Sequence, residues 1–295
     1  MRPRYSVIGV ATVVVMLTGC AVHEGKSQWA VPQTEHEVAE PVVMTYTPSD
    51  WPEALEARVR QPVGQGPFPA VLIVHGGGWQ RRGPDDMTGI AEDLAASGLV
   101  TVNVAHRFGP GYQFPAQPRD LQQAMRWIHA NAGRFNIDAD RIGALGYSSG
   151  AHLVSLLALV AEQGGELDGG PRTRPAAVVA GGTPSDLRKW QDGKLIEDFL
   201  GGTQAEVPDA YRLASPVVHV HPEAPPFFLF HGTMDKLVPA DHATDFYAAL
   251  QDAGVVSELY RQRFRGHALA FVLRGGAMTE AKRFLHQHLG GHLSK

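Results

Sequence analysis

The sequence contains a single cysteine, Cys20, among 295 residues. Without a second thiol the chain can form no internal disulfide and no cysteine-based zinc site. It also lacks an uninterrupted apolar run near the roughly 20 residues that a membrane-spanning helix requires. Lys and Arg number 26 against 30 Asp and Glu, a net charge of −4, and no basic run of five occurs. That balance excludes nucleic-acid binding as the main role. There is no internal repeat and no low-complexity segment. Charged residues are scarce at 19%, whereas hydrophobic residues reach 44%, an ordinary globular composition that argues against disorder. A chain of this length can bury a full core without covalent staples.

What is present begins at the N-terminus. Arg2 and Arg4 precede Val7–Leu17, eleven mostly apolar residues, which is the pattern of a secretory signal. The stretch ends in Leu17-Thr18-Gly19-Cys20, which resembles the bacterial lipobox, whose cysteine is acylated and becomes the first residue of the mature chain. The resemblance implies removal of residues 1–19, lipidation at Cys20 and a lipid-anchored protein of the bacterial cell envelope. Ala21 rather than aspartate follows the cysteine, which leans towards the outer membrane. Residues 20–41 have no sustained periodicity and read as the lipidated cysteine and a flexible tether, with 42–295 as the folded domain.

From Val42 onward short apolar runs alternate with helical patterns. Ala70–His75, Leu99–Ala105, Arg141–Gly146, Ala176–Ala180, Phe227–His231 and Ser257–Arg263 read as strands. Helical spacing marks Asp86–Ser97, Arg119–Arg134, Ser149–Glu162, Ala240–Asp252 and Gly276–His288. Repeated units of this kind predict one α/β domain with a mostly parallel central sheet and helices on both faces.

Gly146-Tyr147-Ser148-Ser149-Gly150 fits G-x-S-x-G, with an apolar strand before it and an apolar helix after it. In such a nucleophile elbow a sharp turn thrusts the serine hydroxyl into solvent, and small flanking residues let the backbones approach. Ser148 is therefore the candidate nucleophile. His75-Gly76-Gly77-Gly78-Trp79 ends an earlier strand. A glycine-rich turn of this type aims backbone N–H groups at a developing oxyanion, and the N–H of Ser149 would add another. His75 reads as shaping that turn. The acid and base must follow the serine in that order. Asp235 and His267 each follow a predicted strand, and Asp186, after another strand, competes with Asp235. His267 would take the Ser148 proton and the acid would fix its tautomer. His286, His288 and His292 lie close together, but no carboxylate joins them at a recognised ligand spacing, so neither a metal nor a cofactor is expected.

Together these residues resemble an α/β-hydrolase of the hormone-sensitive-lipase-like group. More narrowly, they resemble its bifunctional feruloyl/acetyl-xylan esterase-like and kynurenine-formamidase-like branches. The resemblance runs over about Ala70–Leu289. It includes Phe114-Pro115-Ala116, Asp120, Trp127, Asp140-Arg141-Ile142, Leu200-Gly201-Gly202 and Ala214-Ser215-Pro216. It implies the α/β-hydrolase fold, a Ser148–Asp235–His267 triad, and an oxyanion hole formed by Gly77, Gly78 and Ser149. The chain departs from the usual pattern at Ser149, where alanine is common, and Ser148–Leu153 leans towards the formamidase-like pattern. Between the strands at Ala176–Ala180 and Phe227–His231, the stretch Leu187–Arg212 is charged throughout and shows no long apolar face. A small lid or none is expected, with a shallow open site that prefers acetyl esters and tolerates a bulky, sugar-like alcohol. The expected partners are a small or carbohydrate-linked ester and the membrane holding the anchor. An amide or formamide hydrolase with the same triad is the alternative. A non-catalytic envelope-binding protein on the same scaffold is a second.

Overall fold

Apolar runs of five to seven residues can hide both faces only when helices cover each side of the sheet they form. The computed structural model describes residues 21–29, 35–190 and 193–290. Its strands are β1 (Ala21–Glu24), β2 (Val42–Thr45), β3 (Glu56–Arg60), β4 (Phe68–Val74), β5 (Val100–Val104), β6 (Ile137–Tyr147), β7 (Val178–Gly181), β8 (Phe227–Gly232) and β9 (Ser257–Gln262). They make one sheet in the order β1-β9-β8-β7-β6-β4-β5-β3-β2. Strands β4 to β9 run parallel, and β3, β2 and β1 are added antiparallel at the two edges.

Strand β4 is buried along its whole length, and its alternate residues supply two cores. Ala70, Leu72 and Val74 face one side with α2 (Ala116–Ala130), α3 (Ser149–Val160) and α6 (Asp241–Asp252). Val71 and Ile73 face the other with α1 (Thr88–Ala96) and α8 (Gly275–Leu289). The excursion between β7 and β8 carries two short helices, α4 (Lys194–Leu200) and α5 (Pro208–Leu213).

Three expectations change. Residues 20–41 do not form a free tether where they are described. Ala21–Glu24 pairs with β9, with Ala21 opposite Gln262, and Val38 bridges to Pro62. Four residues are too few for a strand period to show in sequence, yet β9 would otherwise be a bare edge. The His23 ring, 2.8 Å from Glu258, fastens this strand laterally. Strands β2 and β3 are additions that Arg58 and Arg60 obscured, although Leu55, Ala57 and Val59 alternate inward. Last, His267 does not sit in a loop but opens a short helix, α7 (His267–Val272). The signal segment, Cys20 and His292 lie outside the described residues.

Three buried imidazoles are held neutral, with an expected consequence for acid stability. His152 has both nitrogens committed: Trp79 Nε1 donates to Nδ1 at 3.2 Å, and Nε2 lies 2.6 Å from the Ala214 carbonyl. A second proton would point at the indole N–H. Burial pushes His152 down to about 4, and burial, with Lys189 nearby, does the same to His242, which stacks on Trp190. Burial and the stacked His75 ring take His106 to about 3. Unfolded, each would protonate near 6.5. The unfolded chain therefore binds more protons below that pH, and stability should fall as pH drops from about 6.5 towards 4, by roughly 1 kcal/mol per pH unit for each histidine. Urea midpoints measured from neutral to mildly acid pH test this. The slope should be shallower in His152→Gln, and an unchanged midpoint over that window would count against it.

Candidate active site

A parallel sheet whose strand order reverses leaves a crevice at the carboxyl ends of the strands flanking the reversal. Here β5 lies on one side of β4 and β6 on the other. The glycine turn follows β4 and Ser148 follows β6, so both candidates project from that switch point.

The turn at Ser148 is tight enough to dictate its neighbours. A Cβ on Gly146 would come within 2.4 Å of the Gly150 carbonyl, and one on Gly150 within 2.2 Å of the Val74 carbonyl oxygen. Strand β6, helix α3 and strand β4 can meet only with hydrogen at these two places. Ser148 itself adopts φ 56° and ψ −124°, a left-handed φ that is strained for a residue with a side chain. Its N–H donates to the Gly181 carbonyl at 2.7 Å, which ties the elbow to β7.

The structure brings Ser148, His267 and Asp235 into one hydrogen-bonded line. His267 Nε2 lies 2.8 Å from Ser148 Oγ, and Nδ1 lies 2.6 Å from Asp235 Oδ2. Asp235 Oδ1 accepts the N–H groups of Leu237 and Val238, both at 2.9 Å. An ionised carboxylate can only accept, so Nδ1 is the donor to Asp235, and Nε2 is the ring nitrogen that faces the Ser148 hydroxyl. Burial pushes the Asp235 carboxyl up, but the His267 hydrogen bond and charge, the Val238 N–H and the nearby His231 outweigh it. The group therefore lies below its usual range and stays ionised. Asp186 is placed elsewhere: it accepts from the Arg188 backbone and guanidinium at 3.1 and 2.8 Å.

Opposite the serine, Gly77 and Gly78 have φ values of 123° and 65°. A Cβ on Gly77 would lie 2.0 Å from the Arg81 carbonyl oxygen. Ser149 begins α3, where the first N–H groups of a helix have no partner within it. All three residues border the same cavity as Ser148 and His267. His75 bonds the Gly76 carbonyl through Nδ1 at 2.7 Å, so its ring braces the turn. His286 lies 3.2 Å from Ser97 Oγ, and the His288 ring packs on Phe284.

The cavity differs from the expected shallow, wall-less site. It measures about 730 Å³, and its walls include Met87, Trp190, Leu195, Ile196, Phe271 and Val272. Helix α4 explains the difference. Ile196, Phe199 and Leu200 bury one face of the helix in the core, while Leu195 leans over Gly78. Charges in this seven-residue helix hide that face from a periodicity count. Two further residues had no usable sequence signal. Tyr147 donates its hydroxyl to the His267 carbonyl at 2.6 Å, and His231 lies 3.4 Å from Asp235 Oδ2.

Residues 59–250 match the BD-FAE family, about two thirds of the chain. The chain belongs to the BD-FAE family. The match includes Ser148 and Asp235 and ends before His267, which tertiary contact alone joins to them. Among curated relatives, Esterase LipQ of Mycobacterium tuberculosis is 30% identical over 226 residues, covering 72% of this chain and 53% of its own length. Esterase LipC of the same organism is 32% identical over 228 residues, covering 72% and 55%. This family member thus spans about half the length of the curated relatives it matches. Among solved structures, a carbohydrate esterase from gut microbiota superposes with a TM-score of 0.73 at 22% identity, covering 90% of this chain and 100% of that one. A butyrate-bound esterase from Thermogutta terrifontis gives 0.72 at 22% identity, covering 86% and 96%. These likenesses establish the α/β-hydrolase fold for the family member described here.

Proposed function

We propose that this protein is a serine hydrolase of carboxylic esters, with Ser148 as nucleophile, His267 as general base and acid, and Asp235 as the residue that orients His267. The observation that carries this is the Ser148–His267–Asp235 line, which opens into an apolar cavity beside a glycine turn. The esterase names of its relatives support the same class of chemistry. Ser148 Oγ attacks the ester carbonyl carbon while His267 Nε2 takes the hydroxyl proton. The N–H groups of Gly77, Gly78 and Ser149 receive the oxyanion. Collapse expels the alcohol, which takes its proton back from His267 and leaves an acyl-serine. Water then repeats the sequence through His267 and releases the acid.

The substrate class follows from the size and character of the cavity. At about 730 Å³ it is a pocket for one compact ligand rather than an extended tunnel, and it must hold both halves of the ester. Its apolar walls remove the argument for acetyl over butyryl, because each methylene that finds a wall contributes about 0.8 kcal/mol. We therefore assign it short acyl groups, of up to about six carbons, since methylenes beyond the walls stay in water and add nothing to transition-state binding. The lipobox-like Leu17–Cys20 further assigns a lipid anchor at Cys20 and a place at the bacterial cell envelope.

A p-nitrophenyl ester series of increasing acyl length tests the reading. kcat/KM should peak among the short esters and fall steeply past about six carbons. A maximum at decanoyl or longer would overturn the short-acyl assignment. Faster turnover of an N-formyl aryl amide than of every ester would select amide hydrolysis instead.

A further inference from the structure

Soluble proteins rarely present a contiguous apolar patch to water unless something covers it. One edge of this molecule does. Met234, Leu237, Phe264, Leu269, Val272 and Leu273 are each more than half exposed, and Phe264 reaches 80%. They are neighbours in space. The Met234 N–H bonds the Arg265 carbonyl at 3.0 Å, and the Phe264 N–H bonds Thr233 Oγ1 at 3.0 Å. Leu269 and Val272 on α7, with Leu273 directly after it, stand at the i, i+3, i+4 spacing that shares one helix face, and they are exposed while Ala270 is buried. Phe264 is displayed at φ 60°, a left-handed conformation costly for a bulky side chain.

Three further observations say what covers this edge. First, the chain enters here. Ala21, the residue after Cys20, pairs with Gln262, and Phe264 lies only two residues further on, about 7 Å along an extended chain. Second, residues 261–274 contain four arginines and no carboxylate. Glu24 pairs with Arg261 at 2.6 Å, while Arg263 and Lys236 stand exposed beside the patch. Third, the patch borders the mouth of the cavity, since Leu237 and Val272 line both.

From this juxtaposition we infer that the Met234–Leu237, Phe264 and α7 surface rests on an anionic lipid bilayer, so that the cavity opens at the membrane interface. The inference rests on the lipid-anchor reading for the origin of that bilayer. The acyl chains on Cys20 would enter the membrane one residue from where β1 joins the sheet, with no free tether between. Apolar side chains that insert beside arginines, which pair with lipid phosphates, are the mode of an interfacial helix. The catalytic edge is then held against the surface rather than away from it, and esters dissolved in the interface meet the cavity directly.

Because Cys20 is the only native cysteine, single reporter sites can be introduced cleanly. In the full chain, Arg263→Cys places a fluorophore at the patch, and Arg134→Cys places one at the opposite edge, where β4 and β6 begin. Each protein is reconstituted on vesicles of phosphatidylglycerol and phosphatidylcholine containing a spin-labelled lipid. Emission from position 263 should be quenched several-fold more than from 134. Phe264→Asp with Leu269→Asp and Leu273→Asp should remove the difference, with soluble p-nitrophenyl acetate turnover unchanged. Equal quenching at both sites, a patch variant quenched like its parent, or loss of the parent's quenching because two copies dimerise through the patch would each overturn the inference. The anchor is read separately from the mass of the Cys20 peptide. A Cys20→Ser chain, which can be neither acylated nor labelled at that position, that still quenches at 263 would keep the surface and lose the anchor. Absent esterase activity with quenching intact would fault only the proposed reaction.

Discussion

Ser148→Ala should lower ester turnover by about 10⁶, leaving only what the oxyanion donors and substrate binding supply. The size of the loss follows from the geometry. Ser148 Oγ is the atom 2.8 Å from His267 Nε2, and both residues line the cavity. Ser149 cannot replace it, because its hydroxyl is buried with no hydrogen-bond partner. A fluorophosphonate should therefore label Ser148 alone in the wild type and nothing in the variant. The folded state should survive, since the deletion removes one hydrogen bond worth about 1 kcal/mol. Ser148→Gly should lose as much activity while melting slightly higher than Ser148→Ala, because glycine accepts the left-handed φ of 56° without strain. Labelling at Ser149, or turnover within tenfold of wild type in Ser148→Ala, would refute the assignment.

Asp235→Asn should cut turnover by up to about 10⁴ through the tautomer rather than the fold. The asparagine oxygen can still accept from Leu237 and Val238, so the turn after β8 keeps its two backbone bonds. Facing His267 Nδ1, however, the amide nitrogen is a donor. It forces the proton onto Nε2, the atom that must accept from Ser148. kcat should fall with KM little changed, and the melting temperature should stay near that of wild type. Asp186→Asn serves as the control, because its bonds run to Arg188 and the start of a 3-10 turn rather than to His267. A large kcat loss in Asp186→Asn with Asp235→Asn nearly normal would reverse the assignment of the acid.

Much of this site is legible along the chain because each part is a short covalent unit. Gly146 and Gly150 flank Ser148 at fixed spacing, and their exclusion of a Cβ is a property of three adjacent backbones. The glycine turn after β4 is equally local. Strands β4, β7 and β8 and the end of β6 show as apolar runs because burial on both faces leaves them no polar face to confuse the pattern, whereas β9, with Glu258, Arg261 and Gln262, shows only weakly. Strand β3 is less legible, since its arginines interrupt the run. Strand β1 is invisible: four residues carry no period, and their pairing depends on an edge supplied more than two hundred residues later.

The sequence by itself therefore determined the parallel α/β sheet, the candidate nucleophile, and the chain order in which a candidate acid and base follow it. These depend on local sterics and on hydrophobic runs that survive without their partners. The tertiary structure decided which aspartate meets His267, because Asp186 and Asp235 both follow strands and only their distance to the imidazole separates them. It also decided that a charged seven-residue helix puts apolar walls on the cavity. The presumed tether likewise became an edge strand beside an exposed apolar rim. Each of these is a contact between segments far apart in the chain, and such contacts exist only once the sheet has brought their strand ends to one edge.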